Sequence, residues 1–105
     1  MSIRRLQEEA HRIAVEHGWW DRSRSAGEAL MLVVTELAEA MEAIRSGSPE
    51  SEKIGGFSKV EEELADAVIR ILDYAGGNGL NLDAALAAKM RYNETRPYRH
   101  GGKLA

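Results

Sequence analysis

Two segments decide the fold of this chain: VVTELAEAMEAI at residues 33–44 and EEELADAVIRIL at residues 61–72. Each contains a nearly identical acidic phrase, ELAEA at 36–40 and ELADA at 63–67. In both segments apolar residues recur every three or four positions, which is the spacing of one face of an α-helix. We therefore predict two amphipathic helices, each with an acidic phrase beside its apolar stripe.

The rest of the chain is also predicted to be helical. Helices are predicted at residues 3–17, 26–45, 58–75 and 82–95, and the segments between them are rich in glycine, serine and other turn residues. Ser25 and Glu28 have the spacing of a capping box. No segment predicts a strand. We expect an all-α, four-helix antiparallel bundle, with residues 1–105 forming one domain and a flexible basic tail beginning near residue 97.

Composition restricts the class of protein further. The chain has 105 residues, of which 44% are hydrophobic and 30% charged, as is usual for a globular domain. It contains no cysteine, so disulfides and thiolate metal sites are excluded. No apolar run reaches the roughly 20 residues of a membrane span, and the N-terminus lacks the apolar core of a signal peptide. We expect a cytoplasmic protein that does not bind membranes.

Charge is distributed unevenly along the chain. Residues 86–105 contain five basic residues against one acidic residue, whereas the remainder is acidic. The acidic part suits a divalent cation and the basic tail suits a polyanion, although a solvated surface explains the same pattern. Because the body is acidic and the basic stretch is short, we do not expect nucleic acid as a partner.

The two acidic phrases occupy the same phase on their helices. With Leu37 as the centre of the apolar stripe, Glu36 lies at about −100° and Glu39 at about −160°. With Leu64 as the centre, Glu63 and Asp66 fall at those same two angles. In an antiparallel hairpin the two phrases would lie at similar height, so that four carboxylates converge.

Four converging carboxylates predict a metal site, because unpaired they would repel one another. Oxygen ligands suit Mg²⁺, with Mn²⁺ as a substitute. Arg70 lies one turn beyond Asp66 and could orient a carboxylate or hold an anionic substrate. Di-iron bundle proteins carry two Glu-x-x-His motifs, whereas here only His11 follows a glutamate, Glu8, at that spacing and His17 does not, which disfavours that centre. The alternative is an acidic, solvent-facing flank, since E-x-x-E is common in helices.

The pair Glu36-x-x-Glu39 and Glu63-x-x-Asp66, on consecutive helices, resembles the motif of the MazG-like family of all-α nucleoside triphosphate pyrophosphohydrolases. The similarity extends over about residues 26–98 and includes Lys89 followed four residues later by Asn93. The resemblance implies hydrolysis of a (deoxy)nucleoside triphosphate to the monophosphate and pyrophosphate, with a role in removing non-standard nucleotides.

The resemblance also implies roles for individual residues. Glu36, Glu39, Glu63 and Asp66 would be the metal-binding and catalytic carboxylates, with Glu39 as the candidate general base. Residues of the C-terminal part, together with Arg70, would bind the substrate and its pyrophosphate: Lys89, Asn93, Arg96, Tyr98 and Lys103. Trp20 is a candidate for stacking on the base, although packing in the core or at a subunit interface explains it as well.

Family members work as dimers or tetramers, and the resemblance implies a homo-oligomer here. A chain of this length also buries only a modest core by itself. Two alternatives stay open at this stage: the same site acting on a substrate such as phosphoribosyl-ATP, and a non-catalytic helical interaction protein.

Overall fold

The computed structural model describes residues 2–98 and consists of four helices. They are α1 (Ile3–Glu16), α2 (Ala26–Arg45), α3 (Lys59–Gly77) and α4 (Leu82–Glu94). Within these described residues there is no strand, only an isolated antiparallel bridge between Glu50 and Ser58. The all-α prediction is confirmed. The predicted helix at 58–75 was two residues too short at its C-terminus, because Gly76 and Gly77 continue α3.

The N-termini of the helices are set by side-chain caps. Ser58 caps α3 with a complete capping box, because its hydroxyl accepts from Glu61 N while the Glu61 carboxylate accepts from Ser58 N. Asn81 caps α4. Ser25 caps α2, but the predicted capping box is wrong: the Glu28 carboxylate lies 3.5 Å from Arg22 Nη2 instead of bonding back to the cap.

Helices α2 and α3 form an antiparallel hairpin, which is the frame of the candidate site. The face that α2 buries is made of Val33, Ala40 and Ala43. This face is rotated from the Leu37 stripe toward the acidic flank, so Leu37 itself remains 45% exposed. The packed face of α2 therefore lies part of a turn away from the face predicted from the sequence. As a result, Glu36 lies along the seam between the two helices.

Helix α1 packs against the other side of α3 and runs antiparallel to it. The side chain of Gln7 donates to the carbonyl of Leu80, and His11 contacts Asp73 further along. The helices approach closely at Gly76, where an added Cβ would lie 2.8 Å from the Cβ of His11. Gly76 is therefore needed for the close packing of α1 on α3. Local sequence preferences do not reveal this requirement.

Helix α4 contacts mainly α1 and does not close a four-helix core. The predicted antiparallel bundle is thus confirmed only for α1, α2 and α3. None of the helices in the described part of the chain has the length and apolar character needed to cross a bilayer.

Much of the apolar surface is uncovered. Half-exposed residues run along α2 on the side away from α1 and α3, and others continue on α3: Leu30, Val34, Leu37, Met41, Ile44, Leu64, Val68 and Ile71. We call this set the apolar stripe. No large side chain in the described chain is fully buried. The hydrophobic pattern predicted from sequence is real, but this chain alone buries only part of it.

Candidate functional site

Three of the four predicted carboxylates meet at the seam between α2 and α3. One oxygen from each of Glu36, Glu63 and Asp66 can be chosen so that all three lie within 4.8 Å of one another. Glu63 is buried, and the other two are partly buried. The choice of Glu63 from the run Glu61–Glu63, made from helical phase, agrees with this arrangement. We call these three residues the carboxylate cluster.

Basic side chains balance part of the cluster's charge. Arg70 Nε donates to Glu36 Oε1 at 3.0 Å. This contact orients the carboxylate, which is one of the two roles predicted for Arg70. Lys59 Nζ lies 3.3 Å from Glu63 Oε1. The hydrogen bond to Glu63, with the nearby charge of Glu62, raises the pKa of Lys59 above its usual range. Two of the three carboxylates are therefore held by a cation of the protein.

Asp66 has no such partner within hydrogen-bonding distance among the described residues. Burial and the neighbouring charges of Glu63 and Glu62 raise its pKa, while Lys53 and Arg70 oppose that shift. A raised pKa means that the ionised carboxylate is unfavourable in this setting. A cation bound at the carboxylate cluster would stabilise the ionised form of Asp66.

Glu39 lies outside the carboxylate cluster. Its side chain is exposed and lines a separate depression that also includes Glu42, Glu50 and Lys59. Because Glu39 lies further around α2 than Glu36, it is directed away from the seam toward the loop after α2. The structure therefore brings together three of the four predicted ligands, and the role of Glu39 stays a prediction.

Glu62 has a structural role that its position around the helix did not predict. It is 5% exposed, and its Oε1 accepts a 2.6 Å hydrogen bond from the hydroxyl of Ser51. Ser51 Oγ also accepts from the backbone amides of Lys53 and Ile54. Buried polar groups need such partners, so this network fixes the loop between α2 and α3. The middle of this loop, at Ser51, is therefore tied to α3.

A cavity of mixed charge adjoins the carboxylate cluster, and we call it the mixed-charge cavity. Its charged lining consists of three acidic and three basic side chains: Glu36, Asp66, Asp73, Arg24, Lys53 and Arg70. Of the three basic residues, only Arg70 was predicted from the sequence to lie at the site, because Arg24 and Lys53 lie in connecting segments without periodicity. A cavity with both carboxylates and cations can accommodate a metal ion together with an anion.

Trp20 is held in place by α3. Its Nε1 donates to Asp73 Oδ1 at 2.8 Å, and its ring meets the His11 ring edge-on with centroids 4.9 Å apart. An added Cβ at Gly77 would overlap Cη2 of Trp20, so the indole occupies the space that this glycine leaves. These contacts agree with the alternative in which Trp20 packs inside the protein. Trp20 also lines a cavity together with Trp19.

The predicted substrate-binding residues of the C-terminal part lie elsewhere. Lys89 and Arg96 both lie over the ring of Tyr92, at 4.6 and 5.5 Å from its centroid. Asn93 lines a shallow depression on α4. None of these residues lines the cavity at the carboxylate cluster. Tyr98 is 85% exposed. Lys103 and the basic tail beyond Tyr98 lie outside the described residues.

The donor set fits a hard divalent cation. All three candidate ligands offer carboxylate oxygens, which is the chemistry that Mg²⁺ and Mn²⁺ prefer.

Comparisons of the chain with protein-family models, curated proteins and solved structures found no match.

Proposed function

We propose that this protein hydrolyses (deoxy)nucleoside triphosphates to the monophosphate and pyrophosphate with the help of Mg²⁺, as the resemblance to the MazG-like family implies. The observation that carries the proposal is the meeting of Glu36, Glu63 and Asp66 at one seam. These residues come from two separate acidic phrases that are far apart in sequence. An acidic flank facing solvent would not require them to meet.

The carboxylate cluster would hold the metal, and the surrounding residues would prepare it. Arg70 keeps one oxygen of Glu36 engaged and so restricts the orientation of that carboxylate. Lys59 does the same for Glu63. When bound, Mg²⁺ would offset the charge of phosphate oxygens and favour loss of a proton from the attacking water.

The basic side chains of the mixed-charge cavity suit the polyphosphate. Arg24, Lys53 and Arg70 provide positive charge within one cavity that also reaches Glu36 and Asp66. Guanidinium groups bind phosphate oxygens through paired hydrogen bonds, which fixes geometry as well as charge. Such positioning, with charge neutralisation at the α-phosphorus, is the main contribution that a protein makes to phosphoryl-group chemistry.

We also propose that the protein works as a homodimer or homotetramer. The apolar stripe leaves Leu37, Met41 and Ile44 about half exposed, and contiguous apolar surface of this kind usually marks an interface. Lys89, Asn93 and Arg96 remain candidates for binding pyrophosphate, although within one chain they do not line the cavity.

The decisive experiment is turnover of a panel of standard and modified triphosphates, with phosphoribosyl-ATP included, in Mg²⁺ or Mn²⁺. We expect pyrophosphate and the nucleoside monophosphate as products, and activity lost with EDTA. Orthophosphate as the sole product would contradict attack at the α-phosphorus. No turnover of any compound would contradict the proposed activity.

Variants of the carboxylates sharpen this experiment. Glu36→Gln and Asp66→Asn should lower kcat by about 100-fold or more, since loss even of an outer partner of a metal site costs about 10–100-fold. Glu39→Gln should cost less, because Glu39 lies outside the carboxylate cluster. Equal losses for all three would instead favour a four-carboxylate site.

A non-catalytic helical interaction protein is the second candidate, because the apolar stripe is a plausible docking face. This alternative predicts that Glu36→Gln leaves every binding property unchanged. Calorimetric titration of the metal-free protein with Mg²⁺ separates the two, since only the enzyme requires metal binding that Glu36→Gln weakens.

A further inference from the structure

A cavity of about 190 Å³ lies beside the mixed-charge cavity and farther from the carboxylate cluster. The indoles of Trp19 and Trp20 form part of its wall, and Arg70 and Asp73 line both cavities. Flat aromatic surfaces next to a phosphate-binding region provide the stacking surface that a nucleobase needs. The cavity is therefore in the right place to take the base of a bound nucleotide.

The spacing along α3 supports this placement. Asp66, Arg70 and Asp73 follow one another at intervals of four and three residues, so they lie on one face of the helix. From Asp66 to Asp73 the rise along the axis is about 10 Å. A nucleoside phosphate with its phosphorus at the carboxylate cluster would extend its base toward Asp73.

The position of Asp73 is set by contacts to a single oxygen. Trp20 Nε1 donates to Oδ1 at 2.8 Å, and His11 Nδ1 lies 2.9 Å from the same atom. The other oxygen, Oδ2, has no hydrogen bond to any residue in the described part of the chain. Asp73, which lines the cavity, therefore keeps one oxygen that can accept a hydrogen bond from a ligand.

We propose that Asp73 determines base specificity and selects nucleotides whose base carries an exocyclic amino group. This inference rests on the proposed nucleotide substrate. A carboxylate oxygen accepts from the amino groups of cytosine and adenine, and carboxylate side chains read cytosine N4 in this way in DNA complexes. Uracil and thymine present a carbonyl oxygen at that position, which an acceptor repels.

Cytosine and uracil provide the sharpest comparison, because they have nearly the same shape and differ at the 4-position. We would titrate the protein with CTP and UTP analogues that carry a methylene group in place of the α,β-bridging oxygen, with Mg²⁺ present. The fluorescence of Trp19 and Trp20, the two tryptophans of the chain, reports binding. The CTP analogue should bind roughly tenfold or more tightly, as expected for a hydrogen bond to a charged group.

Asp73→Asn should reverse this preference. Trp20 Nε1 can only donate, so the amide oxygen of the introduced side chain should take the place of Oδ1. Its NH₂ group would then occupy the place of Oδ2 and favour the carbonyl of uracil. The matched control is Asp83→Asn on α4, a residue that lines neither cavity, and it should leave the ratio of affinities unchanged.

Equal affinities of the wild-type protein for the two analogues, or no binding of either, would overturn the inference. So would an unchanged ratio in Asp73→Asn with helicity intact. Titrations with cytidine and uridine repeat the comparison without phosphates. Preference for cytidine without turnover of any triphosphate would refute the proposed reaction and support the base site, whereas turnover of CTP and UTP at equal kcat/KM would do the reverse.

Discussion

Asp66 lies next to the carboxylates of Glu63 and Glu36, and burial with like charge raises its pKa. For a carboxyl group with a raised pKa in the folded state, the stabilising contribution is fully present below the pKa of the unfolded chain. It is lost as the pH rises through the folded-state pKa. At neutral pH the ionised Asp66 thus lowers the free energy of unfolding of the metal-free protein.

Asp66→Asn should therefore stabilise the metal-free protein at neutral pH while it removes metal binding. The expected gain is a few tenths of a kcal/mol, the size of one like-charge pair on a helix. Urea unfolding with EDTA, from pH 7 down to pH 3, measures it. The gain should shrink as the pH falls, because wild-type Asp66 then becomes neutral. Asp21→Asn, in the exposed turn after α1, is the control, and a gain independent of pH would contradict the electrostatic cause.

At the scale of elements, the C-terminal end of α3 is built to receive two side chains from the N-terminal part of the chain. Gly76 leaves room for His11, and Gly77 leaves room for the ring of Trp20. Glycine lowers helix propensity, so a Gly-Gly pair suggests the end of a helix when only local preferences are considered. Here the pair forms the last two residues of α3, and it also provides a contact surface for α1 and Trp20.

Gly77→Ala should displace the Trp20 ring, because the added methyl group would overlap Cη2 and Cζ2. We expect a loss of about 1–3 kcal/mol in the free energy of unfolding, as is usual for overpacking, together with a shift in tryptophan emission. Gly55→Ala is the matched control, since a Cβ at Gly55 would meet no atom within 4 Å. Equal stability of the two variants would show that the indole does not pack on Gly77 in solution.

At the scale of the whole molecule, one chain exposes too much surface for its size. Its accessible surface is 7944 Å², whereas a compact folded monomer of 11.6 kDa should expose about 5,800 Å². The radius of gyration of 16.2 Å also exceeds the roughly 13 Å of a 100-residue domain. Helix α4, which contacts mainly α1, and the open apolar stripe both leave surface uncovered. They support the proposed oligomer.

Leu37→Lys should weaken self-association. In a two-fold interface each substitution acts twice, and removing a buried leucine side chain costs about 1.5–3 kcal/mol, so the dissociation constant should rise about a hundredfold or more. Light scattering after size-exclusion chromatography, over a range of protein concentrations, measures the mass. Ile54→Lys, at a similarly exposed residue of the loop, should have no effect. A wild-type chain that is monomeric throughout that range would contradict the proposal.

The four helices and the candidate carboxylates follow from the sequence alone. Apolar periodicity and caps such as Ser58 placed all four helices, because these signals act within one or two helical turns. The common phase of the two acidic phrases predicted four converging carboxylates, and three of them, Glu36, Glu63 and Asp66, meet in the structure, since helical geometry fixes the angle between neighbouring side chains.

Tertiary structure decided which surfaces meet. The rotation of α2 on α3 placed Glu36 in the seam and left both Leu37 and Glu39 outside it, because small residues such as Ala40 and Ala43 permit the closest approach. The role of Asp73 was also hidden, since Trp20 and His11 are 53 and 62 residues away along the chain. Packing between distant segments depends on shape and contact across the whole chain, which local periodicity does not contain.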